Sequence, residues 1–230
     1  NQISDGRGQF LNGITATGFL VSPCYAATNY HVVFGNQVGG PVRGRTYRVR
    51  VSVRGVSTEA DPVSYGEYRG RAGAGDWALV RLHDCLGERF GWLHTSSISL
   101  DRLAGIPFKL VAPDETFSGE LIVDPECRGT RIGDDSSIEH DCASRPGYSG
   151  APIVAVERDT PVVLVMNAGP RDQVDEILPD PDQSPNYGIS MLELLSGPRV
   201  GVSLDEDIRR FEEAGGTTPW CRVHRSHVRG

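Results

Sequence analysis

Short apolar runs broken by turn residues dominate this chain and favour sheets over helices. The segment Arg48-Val49-Arg50-Val51-Ser52-Val53-Arg54 alternates strictly, so three valines share one face and Arg and Ser the other, the period of a half-buried strand. The same reading applies to Thr17 to Ser22, Cys24 to Thr28, Trp77 to Leu82, Phe108 to Ala112, Glu120 to Asp124, Ala151 to Val156 and Val162 to Met166. Gly, Pro, Ser or Asn bounds each run, and the 28 Gly and 15 Pro in 230 residues supply the turns that antiparallel strands need. Many short strands without alternating helices predict an all-β barrel or sandwich.

Only one helix announces itself. Ser203 is placed to cap it, Glu206 completes an S-x-x-E capping box, Leu204, Ile208 and Phe211 fall on one stripe, and Gly215-Gly216 stop it. Such a helix is expected to dock on the barrels as a lid, followed by a basic tail with His224 and His227. The longest unbroken apolar run, Val162 to Met166, has five residues, whereas a membrane helix needs roughly 20, so no membrane span is expected. A net charge of −7 argues against nucleic acid as a main partner, because phosphate neutralisation requires surplus Lys and Arg. That charge is uneven: residues 1–90 carry +3 and residues 91–230 carry −10, which suggests two lobes of opposite sign. No secretory signal pattern opens the chain at Asn1, so a signal is expected to be already removed or never present. Cys24, Cys85, Cys127, Cys142 and Cys221 contain no C-x-x-C, which favours disulfides over zinc and leaves one thiol over; a wholly reduced chain is the other reading.

Three segments carry chemistry. Ala26-Ala27-Thr28-Asn29-Tyr30-His31-Val32-Val33 delivers a histidine at the end of a strand. In Asp76-Trp77-Ala78-Leu79-Val80-Arg81-Leu82 an acid opens an apolar strand, and Pro146-Gly147-Tyr148-Ser149-Gly150-Ala151-Pro152 sets a serine among glycines before the run Ile153 to Val156. A serine hydroxyl is a weak nucleophile at neutral pH, so it needs an imidazole to take its proton, and the imidazole needs a carboxylate to fix its tautomer. Gly147 leaves room for the backbone N–H groups of residues 147 and 149 to face a developing oxyanion.

The blocks T-N-Y-H-V around His31, D-W-A-L-V around Asp76 and G-Y-S-G-A-P around Ser149 resemble, in order, the signatures of chymotrypsin-fold serine proteases. The resemblance covers roughly residues 10 to 195 and is nearest to bacterial trypsin-like peptidases that include glutamyl endopeptidases and HtrA-type enzymes. It implies two six-stranded antiparallel β-barrels: residues 1–98 with His31 and Asp76, 99–200 with Ser149, the oxyanion hole of Gly147 and Ser149 and the specificity pocket, then a helix and basic tail over 201–230. It further implies Cys24–Cys85 and Cys127–Cys142 disulfides with Cys221 unpaired, a polypeptide substrate, no cofactor or metal, and a secreted or periplasmic setting. Ala143, Asn167 and Gly169 fall where the family lines its pocket; the oligomeric state stays open.

Departures narrow the expectation. Digestive members carry Asp directly before the nucleophile, where Tyr148 stands here, so activation through a new N-terminus is not supported. Ala143 at the pocket base does not support trypsin-type specificity, and Val165 to Gly169 lacks the histidine of glutamate-specific members. The acidic loop Arg171 to Asp182 either favours basic substrate segments or is a plain solvated loop. His83, His94 and His140 are expected to be partly exposed structural histidines. Two rival readings stand beside the protease: a non-catalytic binding module on the same fold, and an esterase in which Gly147-x-Ser149 approaches the G-x-S-x-G elbow with His224 or His227 as base.

Overall fold

A computed structural model of the chain describes residues 2–4, 10–43, 45–70, 73, 75–96, 102–103, 106–114, 120–133, 137–157, 160–170 and 186–217. The first sheet contains β1 (Gln2–Ser4), β2 (Phe10–Gly13), β3 (Phe19–Leu20), β4 (Tyr25–Thr28), β5 (Thr46–Val53), β6 (Val56–Tyr65) and β7 (Ala78–Leu82). Its order is β2-β1-β5-β6-β7-β4-β3, antiparallel throughout. The second contains β8 (His94–Thr95), β9 (Pro107–Pro113), β10 (Leu121–Ile132), β11 (Ile138–His140), β12 (Pro152–Glu157), β13 (Thr160–Pro170) and β14 (Asn186–Ser190). The run β12-β9-β10-β11-β14-β13 closes on itself through β12–β13, a six-stranded barrel, and β8 joins β13 in parallel from outside. Each of the eight expected runs overlaps a strand; of Thr17 to Ser22 only Phe19–Leu20 is strand, and several others belong to longer strands. The expected all-β, chymotrypsin-like class is the class observed, but only the second sheet closes as a six-stranded barrel; the first is a seven-stranded sheet whose described pairings run from β2 to β3.

Alternation explains the layering. In β5, Val49 is buried while Arg48 and Arg50 face solvent, and in β13 every residue from Val162 to Gly169 is buried because both faces are covered. One core fills each sheet, and a third lies between them. There Phe19, Ala27, Trp77 and Leu79 of the first lobe meet Val163, Met166 and Ile189 of the second, with Met191 and Leu194. Leu93 N–H donates to Leu20 O, and Ser96 N–H to Val163 O, so the connecting segment is bonded to both sheets. Each large apolar side chain buried in the shared core contributes about 1.5–3 kcal/mol, and this core fixes how the lobes face each other.

Disulfides join Cys24 to Cys85 and Cys127 to Cys142, the expected pairs. Cys24 precedes β4 and Cys85 follows β7, and these strands are hydrogen-bonded neighbours. Cys221 lies outside the described residues. Among the described residues the helices are α1 (Tyr30–Phe34), α2 (Leu86–Phe90), α3 (Met191–Leu195) and α4 (Val200–Glu213). Among the described residues no helix is long and apolar enough to cross a membrane.

The capping expectation for α4 is corrected. Ser203 lies inside the helix, which starts at Val200 behind Arg199, a residue in the left-handed region at φ 62°. Val200 and Leu204 are buried in the shared core, and that burial outweighs a local cap. The stripe itself is as expected, for Ile208 and Phe211 pack on the first lobe's core and Phe211 meets Trp92 edge-on at 5.4 Å. Asp207 pins the helix: its Oδ2 accepts bonds from Ser22 Oγ (2.7 Å) and Cys24 N–H (2.8 Å). Asp207→Ala orphans both donors and is expected to destabilise the protein by about 2–3 kcal/mol. A fall of about 4–12 °C in thermal midpoint checks this.

Candidate active site

The His31 segment is not the strand end that its β-branched neighbours suggest. It forms α1, a single turn of five residues that follows β4, with Asn29 at its N-cap making no side-chain cap bond. The missing acceptor comes from the other segment. Asp76 Oδ1 accepts the backbone N–H of His31 at 3.0 Å, and the Tyr30 backbone also donates to the Asp76 carboxylate. Asp76 Oδ2 meets His31 Nδ1 at 2.8 Å. Asn29 Nδ2 donates to Asp76 O at 2.9 Å, completing a knot between the two blocks.

Asp76 is wholly buried and the His31 side chain is 15 % exposed. Burial pushes the Asp76 carboxyl up from its ordinary value, and contact with His31 draws it partly back. With Asp76 ionised its oxygens only accept, so the ring hydrogen belongs on Nδ1 and Nε2 carries the lone pair.

The Ser149 turn is held from both lobes. Thr17 N–H donates to Ser149 O at 2.9 Å, Thr17 Oγ1 donates to Gly147 O at 2.7 Å, and Thr28 Oγ1, three residues before His31, donates to Thr17 O at 2.7 Å. Gly150 packs so closely here that a Cβ would lie 2.1 Å from Thr17 O, which brings the serine turn against the histidine segment. From behind, Gly150 N–H donates to Asn167 O, Asn167 N–H to Ala151 O, and Asn167 Nδ2 to Tyr148 O and Ser144 Oγ. Gly147 has φ 92°, a conformation that excludes most side chains. No described protein acceptor takes the N–H groups of Gly147 or Ser149. Ser149 Oγ and His31 are not hydrogen-bonded to each other, and such bonds are commonly long before substrate arrives.

Ala143 is exposed and its N–H donates to Asp124 Oδ2. Asn167 is fully buried with its amide committed to the serine turn, and Gly169 pairs with Tyr187 in β14. The acidic loop Arg171 to Asp182 and the tail with His224 and His227 lie outside the described residues. No sequence signal marks Thr17, which ties the serine turn to the first lobe. It sits in a plain strand-like run without a motif. A cleft of about 420 Å³ near Trp77, Glu67 and Glu193 contains neither His31 nor Ser149, so chemistry rather than volume selects the site.

Of the other histidines among the described residues, His83 and His94 are exposed, His83 pairing with Asp61 at 2.9 Å. His140 corrects the expectation of partial exposure: it lies on β11 between β10 and β14 and has no exposed surface. Burial pushes it down to about 4, resisted by the Tyr187 backbone, Asp141, Asn167 and Asp124. An unfolded histidine titrates near 6.5, so between about pH 4 and 6.5 the unfolded chain binds the extra proton. The contribution of neutral His140 to stability is therefore complete above pH 6.5 and is lost as pH falls toward 4. His140→Phe is expected to remove a decline of about 2–3 kcal/mol between pH 7 and 4.5, read from urea unfolding at the two values.

Strand order and the core shared between the two sheets define the chymotrypsin-like double-barrel fold. Solved structures agree. A Glu endopeptidase matches at 17% identity over 77% of this chain and 80% of that one, with TM-score 0.54. A serine endoprotease from Yersinia pestis matches at 14% over 90% of this chain, which spans 62% of its length, with TM-score 0.53. The HtrA-type protease AlgW with decapeptide matches at 18% over 84% of this chain, which spans 52% of its length, with TM-score 0.51. No protein-family model and no curated protein matches the chain. At these identities the likeness establishes the fold.

Proposed function

We propose that the chain is a serine endopeptidase that hydrolyses peptide bonds through an acyl-enzyme. The observation that carries this reading is the buried Asp76 carboxylate on His31 Nδ1, with the Ser149 turn tied through Thr17 and Thr28 to the same segment. Ser149 Oγ attacks the peptide carbonyl while His31 Nε2 takes its proton; the N–H groups of Gly147 and Ser149 hold the oxyanion. His31 returns the proton to the leaving amine, and water then repeats the sequence on the ester to release the acid and free Ser149. Ala143, Asn167 and Gly169 are read as the pocket region.

A polypeptide substrate is supported by the fold's protease relatives, one named as a Glu endopeptidase and one with a decapeptide. The two disulfides favour an oxidising setting, secreted or periplasmic. The lobes are assigned to 1–98 and 99–200, with 201–230 as a C-terminal segment and β8 reaching across to the second sheet. Hydrolysis of internally quenched peptides of mixed sequence, abolished by a fluorophosphonate, is the expected result. Peptide binding without cleavage would instead identify a binding module.

A further inference from the structure

We propose that Tyr68 is a positioning residue for His31: with Tyr30 it forms an aromatic brace that sets the plane of the imidazole against Asp76. This inference rests on the triad reading above. The Tyr68 ring is nearly enclosed and lies parallel to the fully buried Tyr30 ring, 5.0 Å between centroids and 14° between planes. Its other neighbour is the His31 ring, at 6.5 Å and 38°. Both distances fall in the range of favourable aromatic pairs. Tyr30 is anchored in turn by Phe34 at 4.7 Å and Tyr65 at 5.8 Å, so the brace is rooted in the first lobe's core.

His31 needs such a support. A helix of five residues has little stability of its own, so outside contacts must hold α1. The Asp76 bond fixes where Nδ1 points, but the last torsion of a histidine is broad, and one hydrogen bond leaves the ring free to tilt about it. A rigid ring packed beside it at a 38° tilt restricts that freedom. Tyr68 is well placed to couple the two partners, because it belongs to the connection that ends in Asp76 and Trp77: Gly66 N–H donates to Trp77 O and Tyr68 N–H to Gly66 O. On the far side its hydroxyl donates to Asn36 Oδ1 at 3.3 Å, just past the end of α1. The ring, rather than this long hydrogen bond, is the working part.

The test compares Tyr68→Phe with Tyr68→Leu in the full chain. Tyr68→Phe keeps the ring and is expected to stay within about twofold of wild-type kcat. Tyr68→Leu keeps apolar bulk without the plane and is expected to lose about tenfold or more in kcat with KM within about twofold, since misorientation of a reacting group costs rate rather than binding. The His31 Nδ1–H proton, followed by NMR, should be sharp in wild type and Tyr68→Phe and exchange-broadened in Tyr68→Leu. Equal kcat in Leu and wild type, equal losses in Phe and Leu, or a loss confined to KM overturns the brace. Tyr68→Met replaces Tyr68→Leu if the latter fails to fold. If wild type cleaves no peptide, the triad reading falls on its own, and the NMR comparison still decides: an equally sharp proton in the Leu variant contradicts the proposal.

Discussion

Ser149→Ala is expected to lower kcat by about 10⁴-fold or more while leaving KM nearly unchanged. The hydroxyl is the atom that forms the bond to substrate, so its loss removes the acyl-enzyme route and not the binding surface. What survives is water attack assisted by the N–H groups of Gly147 and Ser149, which the substitution leaves in place. The variant should fold normally, because Ser149 is held by its carbonyl oxygen, bonded from Thr17, and not by its side chain. Adding His31→Ala to it should cost little more, since nucleophile and base act as one unit. Steady-state kinetics on a quenched peptide measures both.

Asp76→Asn is expected to reduce kcat/KM by about 10⁴-fold with little loss of structure. The two carboxylate oxygens have different duties: Oδ1 takes the His31 backbone N–H and Oδ2 takes Nδ1. An amide has a single acceptor. If its oxygen keeps the backbone bond that holds α1, its NH₂ faces Nδ1 and forces the ring hydrogen onto Nε2, where a proton acceptor is required. The residue is isosteric and remains buried, so circular dichroism and thermal midpoint should move little while activity collapses. A loss of activity proportional to a loss of folded protein would assign Asp76 a structural role only.

These effects concern the part of the molecule that its sequence shows most plainly. His31, Asp76 and Ser149 each stand in a short block whose residue types have a chemical reason, and the strands follow from period-two alternation, as in β5. Less legible were the features decided by distant contacts. Tyr30 to Phe34 has the composition of a strand yet turns into α1, because a carboxylate 45 positions away supplies acceptors for its first N–H groups. The start of α4 follows the burial of Val200 and not the capping pattern at Ser203. Sequence alone makes His140 a partly exposed structural histidine, and only closure of the second barrel, with β10 and β14 on either side, encloses it. Tyr68 and Thr17 act through partners 37 and about 130 positions away along the chain, separations at which no local spacing signals a contact.

The central claim, that Ser149 is a nucleophile activated by His31, is tested most directly by labelling the full chain with a fluorophosphonate and locating the adduct by peptide mass spectrometry. The account expects a single adduct on Ser149 in wild type and none in Ser149→Ala, with Asp76→Asn labelled far more slowly. Absence of labelling in folded wild-type protein, or equal labelling of the Ser149→Ala variant, would contradict it.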